Sequence, residues 1–249
     1  MTPKILLFDI ENSPSLAYIW QLKNDYISSD FIHSNWYMMC WAAKWLGDKK
    51  IMSAAICDSK KYDPDKPCDK DILGDLWKLL DEADIVIAHN AKAFDCKKAN
   101  ARFIKHGMPP PSPYRIIDTL SEARKQFMFT SNKLNELGKL LGCGEKIHTG
   151  GFKLWLDCMR GDSKAWDKMV RYCKNDVILL ERVYLKMRPY MKTHPNISVI
   201  EGKTVCSRCG CPNITKRGVY YTQSSRKQRF QCNKCHGYGE YILESTRNV

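Results

Sequence analysis

The sequence predicts an α/β fold, in which a mixed sheet is flanked by helices, followed by a small second module at the C-terminal end. Strand-like apolar runs dominate the first sixty residues, and segments with helical spacing of apolar residues dominate the next hundred and thirty. Five of the twelve cysteines crowd into residues 206–235. A chain of 249 residues is long enough to bury a sizeable core and to form one or two domains.

The first part of the chain predicts three strands. The apolar run 5–8 indicates a buried strand, and residues 37–45 and 51–57 indicate two more, joined by a turn at Gly47 and Asp48. Because the three segments follow one another closely, we expect them to form an antiparallel meander.

The middle of the chain alternates between loop, helix and strand. A polar loop with two prolines spans 58–67, and apolar residues at helical spacing predict a helix over 71–80. The fully apolar segment 84–88 predicts a central strand, and a helix over 93–106 ends at a glycine and three prolines. We therefore expect a mixed sheet covered by helices.

The remaining segments of the large domain are mainly helical. Helices are predicted over 118–126, 133–141 and 163–188, with a glycine-containing loop over 142–151. Residues 192–203 are expected to link the large domain, 1–191, to the C-terminal module, 204–249.

Composition favours a globular cytoplasmic protein. Hydrophobic residues make up 44% and charged residues 27%, and no apolar stretch approaches the roughly 20 residues of a membrane span. The N-terminus has no apolar leader after a basic start, so we expect a cytoplasmic location, in the host cytoplasm if the source is viral, with no membrane contact.

The net charge of +13 points to a polyanionic partner, which is most often nucleic acid. Residues 203–249 carry nine Lys or Arg and two Glu, a net charge of +7, which leaves +6 for the other 202 residues. The alternative is that the excess charge serves only solubility.

Two carboxylates end the first strand. Asp9 and Glu11 lie two positions apart, so they project from the same face. Like charges at this spacing repel each other, and their most direct use is to hold a hard cation such as Mg²⁺ or Mn²⁺. The alternative is a strand that ends in solvent.

Two further polar groups follow predicted elements. Asn90 and Asp95 come after the strand 84–88, at the end where ligands gather in open α/β sheets, although Asp95 also suits a helix cap. Tyr172 and Asp176 are four apart and share one face of the long helix; the alternative is a solvated pair.

Together these residues resemble the three motifs of the DnaQ-like 3′–5′ exonucleases, in the DEDDy branch that carries a tyrosine. The Tyr-Cys-x-x-Asp form and the spacing before Phe94 are most similar to the proofreading domain of family B DNA polymerases. The motifs are Asp9-x-Glu11, Asn90-x-x-x-Phe94-Asp95 and Tyr172-x-x-x-Asp176. The resemblance spans about residues 3–190 and implies an RNase H-like fold.

The resemblance implies a role for each motif residue. Asp9 would bridge two Mg²⁺ or Mn²⁺ ions, Glu11 and Asp176 would complete one site, and Asp95 would support the other. Tyr172 would orient the attacking water. Asn90 would contact the DNA end or hold the geometry of the site.

Several neighbouring residues have open or structural interpretations. His89 is interpreted as a packed strand-end residue, and Asp118 as structural rather than a ligand. The stretch 146–153 either contacts phosphates or is a solvated loop. Trp36, Trp41 and Trp45 are interpreted as core residues rather than base-stacking surfaces.

The clustered cysteines predict one structural Zn²⁺. Two Cys-x-x-Cys knuckles, separated by 22 residues, offer four thiolates to a tetrahedral ion: Cys206, Cys209, Cys232 and Cys235. A fifth cysteine, Cys211, does not fit the two-residue spacing. A module this small depends on metal for its folding energy. The other seven cysteines are interpreted as reduced thiols.

The ribbon region from 206 to 232 resembles zinc ribbons near the start of insertion-sequence transposases, which implies contact with nucleic acid. Arg226, Lys227 and Arg229 lie among aromatic residues, a mixture suited to phosphates and bases. The alternative is a ribbon that docks on the nuclease domain or on a protein partner.

The sequence therefore predicts a metal-dependent 3′–5′ exonuclease acting on DNA in preference to RNA, with a zinc ribbon that grips the substrate. The alternatives are an RNA 3′–5′ exonuclease, a structure-specific endonuclease and a non-catalytic adaptor built on an exonuclease fold.

Overall fold

The computed structural model describes residues 2–23 and 25–246. Residues 247–249 of the expected C-terminal module lie outside the described part of the chain. Five strands form the central sheet in the order β5–β4–β1–β6–β7, and a separate sheet of three strands forms the C-terminal module. The predicted mixed sheet flanked by helices is confirmed.

The predicted antiparallel meander is present on one side of the sheet. β1 (Ile5–Asn12) pairs antiparallel with β4 (Met38–Trp45), which pairs antiparallel with β5 (Met52–Ala55). Leu6, Leu7 and Phe8 are fully buried because strands flank β1 on both sides and helix α6 packs against it.

The other side of the sheet is parallel. β6 (Ile85–Ala88) lies parallel to β1, and β7 (Arg115–Asp118) lies parallel to β6. Strand β7 was not predicted, because its sequence shows only two isoleucines after a proline-rich stretch. It forms a strand because it pairs with β6, a contact that the local sequence does not show. The start of the predicted helix 118–126 is therefore corrected by one residue.

Helices cover the sheet close to their predicted positions. They are α1 (Lys70–Glu82), α2 (Asp95–Lys105), α3 (Thr119–Gln126), α4 (Leu134–Leu140), α5 (Lys153–Met159), α6 (Ser163–Met187) and α7 (Ile197–Glu201). Helix α5 was not predicted, and α7 occupies part of the expected linker 192–203. The short α7 exists because Ile197 is buried and its N–H donates to the carbonyl of Ser207, 2.8 Å away.

Tryptophan placement agrees with the sequence interpretation at two of three positions. Trp41 is buried and donates its indole N–H to the carbonyl of Ile72, 2.7 Å away, and Trp45 packs against the core. Trp36 differs, since its ring lies under the ammonium of Lys98, 3.6 Å from the ring centre.

A buried ion-pair cluster ties α2 to the strands. The Asp69 carboxylate accepts hydrogen bonds from the Arg102 guanidinium at 2.5 and 2.7 Å and from the backbone N–H of Met38 at 2.8 Å. Burial alone would raise the pKa of Asp69, but these hydrogen bonds outweigh it and lower that pKa. His106 Nε2 lies 2.7 Å from the same carboxylate.

An arm leaves the sheet after β1. We use this name for residues 13–36, which contain the unpredicted short strands β2 (Leu16–Ala17) and β3 (Ile32–Ser34), paired antiparallel. The arm returns to the sheet at β4.

The C-terminal module is a three-stranded antiparallel sheet. Between the cysteine knuckles, β8 (Ile214–Tyr221) and β9 (Ser225–Cys232) form a hairpin, and β10 (Tyr238–Ser245) adds an unpredicted third strand. Its small core consists of Phe230 and the surrounding cysteines.

Membrane insertion has no support in the described helices. Within residues 2–23 and 25–246, none combines the length and apolar character needed to cross a bilayer.

Two helical glycines provide a matched test of the packing. A Cβ added at Gly138 would lie 2.5 Å from the carbonyl oxygen of Gly144 and 2.7 Å from Leu179 Cδ1, whereas a Cβ at Gly74 would meet nothing within 4 Å. We expect Gly138→Ala to destabilise the fold by about 1–3 kcal/mol through overpacking, and Gly74→Ala to stabilise it by about 0.5–1 kcal/mol. Urea unfolding of both variants measures this, and shifts of the same sign would contradict the packing described.

Candidate active site and zinc centre

Three carboxylates meet where β1 passes beneath α6. The oxygens of Asp9, Glu11 and Asp176 lie within 4.8 Å of one another, and the thiol of Cys173 contacts the Asp9 carbonyl at 3.5 Å. Asp9 and Glu11 share a face because they are two residues apart on a strand. The structure thus brings together the first and third predicted motifs.

The second motif lies beside this group. Asp95 is the first residue of α2 and is 2% exposed; burial raises the pKa of its carboxyl, while the backbone at Asp95 and Ile10 acts to lower that pKa. It is not one of the three acids whose oxygens converge, although its charge contributes to the raised pKa of Asp9. A role for Asp95 in holding metal stays a prediction.

Burial and mutual repulsion make this site unfavourable for negative charge. Desolvation, followed by the charges of Glu11, Asp95 and Asp176, raises the pKa of Asp9 well above its ordinary value. Burial and the charge of Asp176 raise the pKa of Glu11 to about 8, and burial raises the pKa of Asp95 to about 7. The ionised cluster therefore requires cations.

Lys146 supplies one such cation. Its ammonium lies 2.5 Å from Asp176 Oδ2 and 3.1 Å from the hydroxyl of Tyr172. Burial opposes the charge of Lys146, but the attraction of Asp176 outweighs it and raises the pKa of the lysine. From sequence, the role of the stretch 146–153 was undecided between phosphate contact and a solvated loop. A lysine in a glycine-containing loop has no regular spacing from the acids that would predict their contact.

The residues fit a divalent cation. Asp176 Oδ1 is buried and has no hydrogen-bond partner among the described residues, although its other oxygen binds Lys146. Three converging carboxylates are a hard-oxygen donor set of the kind that Mg²⁺ and Mn²⁺ prefer. The bound ammonium shows that the acids already attract a cation.

Tyr172 lies on the α6 face that carries Asp176. Its hydroxyl accepts a hydrogen bond from Lys146, and its ring meets the edge of Trp155 at 6.2 Å. Burial and the charge of Asp176 raise the pKa of Tyr172, so the hydroxyl keeps its proton and can donate it in a hydrogen bond.

The turn after β6 is organised by Asp118. This carboxylate accepts hydrogen bonds from the N–H groups of Asn90 at 3.0 Å and Lys92 at 3.2 Å, and it caps α3 through Leu120 and Ser121. The capping contacts agree with a structural role for Asp118.

Asn90 is held with a φ of +76°, and it lines a cavity of about 640 Å³ together with Arg124 and Lys146. This position is compatible with the predicted contact to substrate, which stays a prediction. His89 Nδ1 lies 3.0 Å from the hydroxyl of Thr119, and burial lowers the pKa of His89 to about 4. His89 also lines this cavity, so its interpretation as a packed residue stays a prediction.

The four predicted zinc ligands converge. The sulfurs of Cys206 and Cys235 are 3.7 Å apart, those of Cys209 and Cys232 are 3.6 Å apart, and all four lie within 4.8 Å of one another. A tetrahedron with Zn–S bonds of 2.3 Å has edges of about 3.8 Å, so the four thiols fit zinc. Cys211 lies outside the group, as expected.

The predicted basic residues of the ribbon have acidic neighbours. Arg226 lies 3.1 Å from Glu244, and Lys227 lies 2.6 Å from Glu240. Both glutamates lie on β10, the strand that the sequence did not predict. Arg229 stands opposite Glu240 in the register of β9 and β10. Both residues line a cavity of about 390 Å³, with Lys192 and Arg208, at the junction with the larger domain.

Two matches to known proteins agree with the observed fold. A family model described as the RNase_H superfamily matches residues 50–188, which include Asp95, Tyr172 and Asp176. A solved structure of the family B DNA polymerase from the hyperthermophilic archaeon Pyrobaculum calidifontis matches with a TM-score of 0.53 and 12% identity. That match covers 89% of this chain and 31% of the polymerase. No curated protein sequence matches the chain.

The carboxylate cluster predicts a characteristic pH dependence. The raised pKa of Glu11 favours its protonated form in the folded state, so this contribution to stability is complete below about pH 4.5 and is lost as the pH rises through about 8. In EDTA, we expect the melting temperature of the wild type to fall over this window by roughly 5 °C more than that of Glu11→Gln. Mn²⁺ should restore the wild type at pH 8. Parallel pH profiles would contradict this assignment.

The four-cysteine site predicts that the fold of the C-terminal module depends on metal. We expect one zinc per chain by elemental analysis, and Cys232→Ser should lose both the zinc and the hydrogen-exchange protection of β8 to β10, since few other residues form the core of the module. Cys211→Ser is the matched control and should keep both. Equal zinc loss in the two variants would show that the ligand set is wrong.

Proposed function

The chain belongs to the RNase H superfamily, and from this premise we propose that it is a metal-dependent 3′–5′ exonuclease that hydrolyses DNA at single-stranded or frayed 3′ ends. The observation that carries the proposal is the convergence of Asp9, Glu11 and Asp176 around a buried carboxylate oxygen that has no partner in the described residues. Isolated buried acids are costly, and a cation site for phosphodiester chemistry explains their grouping.

The acids would hold two divalent ions. Asp9, Glu11 and Asp176 provide the converging oxygens, and Asp95 supports them from the start of α2. When bound, such ions activate water and stabilise the leaving oxygen of a phosphodiester.

Tyr172 would position the attacking water. Its hydroxyl keeps its proton, because the pKa is raised, and Lys146 fixes the oxygen by donating a hydrogen bond at 3.1 Å. The hydroxyl is thus available to orient a water without acting as a base.

Lys146 would balance charge near the scissile phosphate. In the structure its ammonium binds Asp176, and a lysine in this position also attracts a phosphate that approaches the acids. Without cations, the carboxylates would repel the substrate.

The ribbon would aid binding to nucleic acid. Arg229, Lys192 and Arg208 line one cavity at the junction together with a single acid, Glu240, so the cations outnumber the carboxylate there, whereas Arg226 and Lys227 are each paired with a glutamate. DNA is favoured over RNA because the solved structure that this chain resembles is described as a DNA polymerase. The motifs and the ribbon region of the present chain likewise resemble those of families that act on DNA.

The direct test is a cleavage assay with a 5′-labelled single-stranded DNA and a matched RNA in Mg²⁺ or Mn²⁺. We expect a ladder that shortens from the 3′ end, faster on DNA, and abolished by EDTA. Asp9→Asn and Asp176→Asn should each reduce kcat by about a thousandfold, which corresponds to roughly 4 kcal/mol of lost transition-state stabilisation.

Asp75→Asn is the matched control, since this carboxylate is exposed on α1 and forms an ion pair with Lys78, its neighbour three residues along the helix. It should keep full activity. Cleavage of a circular single strand would instead indicate an endonuclease. Tight binding with no cleavage of either nucleic acid would reject the enzyme and leave a binding adaptor.

A further inference from the structure

The arm carries an unusual concentration of exposed apolar surface. Tyr18, Trp20, Leu22 and Tyr26 are between 68% and 99% exposed, and three of these four side chains are aromatic. Scattered exposed apolar residues are normal in proteins, but a run of them on one projecting segment marks an interaction site.

The arm is attached at the catalytic edge of the sheet. It begins two residues after Glu11, and its two ends are joined by hydrogen bonds between Ser13 and Tyr37, each 2.9 Å long. The arm therefore leaves the sheet at the end of β1 that carries Asp9 and Glu11.

The helix that carries Asp95 braces the returning end of the arm. Lys98 lies over the ring of Trp36, and Arg102 donates a hydrogen bond to the Trp36 carbonyl at 3.1 Å. Within the arm, β2 pairs with β3, and the ring of Tyr18 meets the edge of His33 at 5.3 Å. The arm therefore follows β1, which carries Asp9 and Glu11, and contacts α2, which begins at Asp95.

The charge of the arm differs from that of its surroundings. Residues 13–36 contain one lysine and two aspartates, a net charge of −1 in a chain of +13. The arm is therefore poorly suited to phosphates, whereas Lys97 and Lys98 on the adjacent α2 are cationic. Proteins that hold single strands combine such cations with aromatic rings on which bases stack.

We propose that the arm is a stacking surface for the unpaired bases of the strand whose 3′ end enters the active site, with Trp20 and Tyr26 as its principal rings. The inference rests on the proposed exonuclease function. It assigns to the arm the preference for single strands, because the bases of a duplex are paired and their faces are hidden.

The test compares Trp20→Ala and Tyr26→Ala with Val199→Ala, which removes a 75% exposed apolar side chain from α7. Because all three side chains are exposed, none of the substitutions should unfold the protein. On single-stranded DNA we expect each arm variant to raise KM about tenfold with kcat unchanged, and Val199→Ala to match the wild type.

Abasic substrates make the test specific for stacking. Replacing the bases upstream of the 3′ end with tetrahydrofuran residues should raise KM for the wild type, and the arm variants should show no further loss on this substrate. An additive loss, or an unchanged KM on normal DNA, would overturn the proposal.

Binding by the Asp9→Asn protein separates this inference from the proposed function. Fluorescence anisotropy should show Kd for single-stranded DNA rising about tenfold when Trp20→Ala is added, even if the wild type proves not to cleave DNA. Light scattering provides a second check. Loss of a dimer in the arm variants with unchanged Kd would show that the arm is an interface between copies of the chain, and would overturn the proposal.

Discussion

Electrostatic repulsion within the carboxylate cluster is the constraint on which the rest of the structure depends. Asp9, Glu11 and Asp176 converge within 4.8 Å, and Asp95 adds its charge from the start of α2. Burial strengthens this repulsion because low-dielectric surroundings screen charge poorly. Protonation of the acids or nearby cations relieve this repulsion, and the ammonium of Lys146 is such a cation, placed beside Asp176 by the loop that carries it.

The packing of α4 places that cation. Gly138 has no side chain, so the carbonyl of Gly144 approaches it closely, and Leu179 of α6 packs against the same point. Two residues beyond Gly144, the Lys146 ammonium reaches Asp176 on α6. The long helix α6 therefore carries both Leu179, which packs at Gly138, and Asp176, which binds Lys146. A glycine remote from the chemistry therefore contributes to the position of the charge that stabilises the acids.

The parts of the site that follow a regular period could be predicted from sequence. Strand alternation places Asp9 beside Glu11, and helical spacing places Tyr172 over Asp176. Lys146 and β7 could not be predicted in this way, because their positions depend on contacts between segments distant in sequence. The same holds for the ribbon. The sequence predicts that Arg226 and Lys227 contact phosphates, but strand β10 places Glu244 and Glu240 beside them.

The distribution of charge suggests how the molecule would divide the recognition of a nucleic acid strand. At the proposed active site, Lys146 and bound metal ions would attract phosphates, and the acids would not. The arm has little charge and presents aromatic rings, whereas Arg229, Lys192 and Arg208 line a cavity at the ribbon junction in which they outnumber one acid, Glu240. Base faces and phosphates would then be bound by different surfaces. Added salt would then weaken phosphate binding at the junction, because this binding displaces counterions. Stacking of bases on the arm would be largely unaffected by salt, because it displaces none.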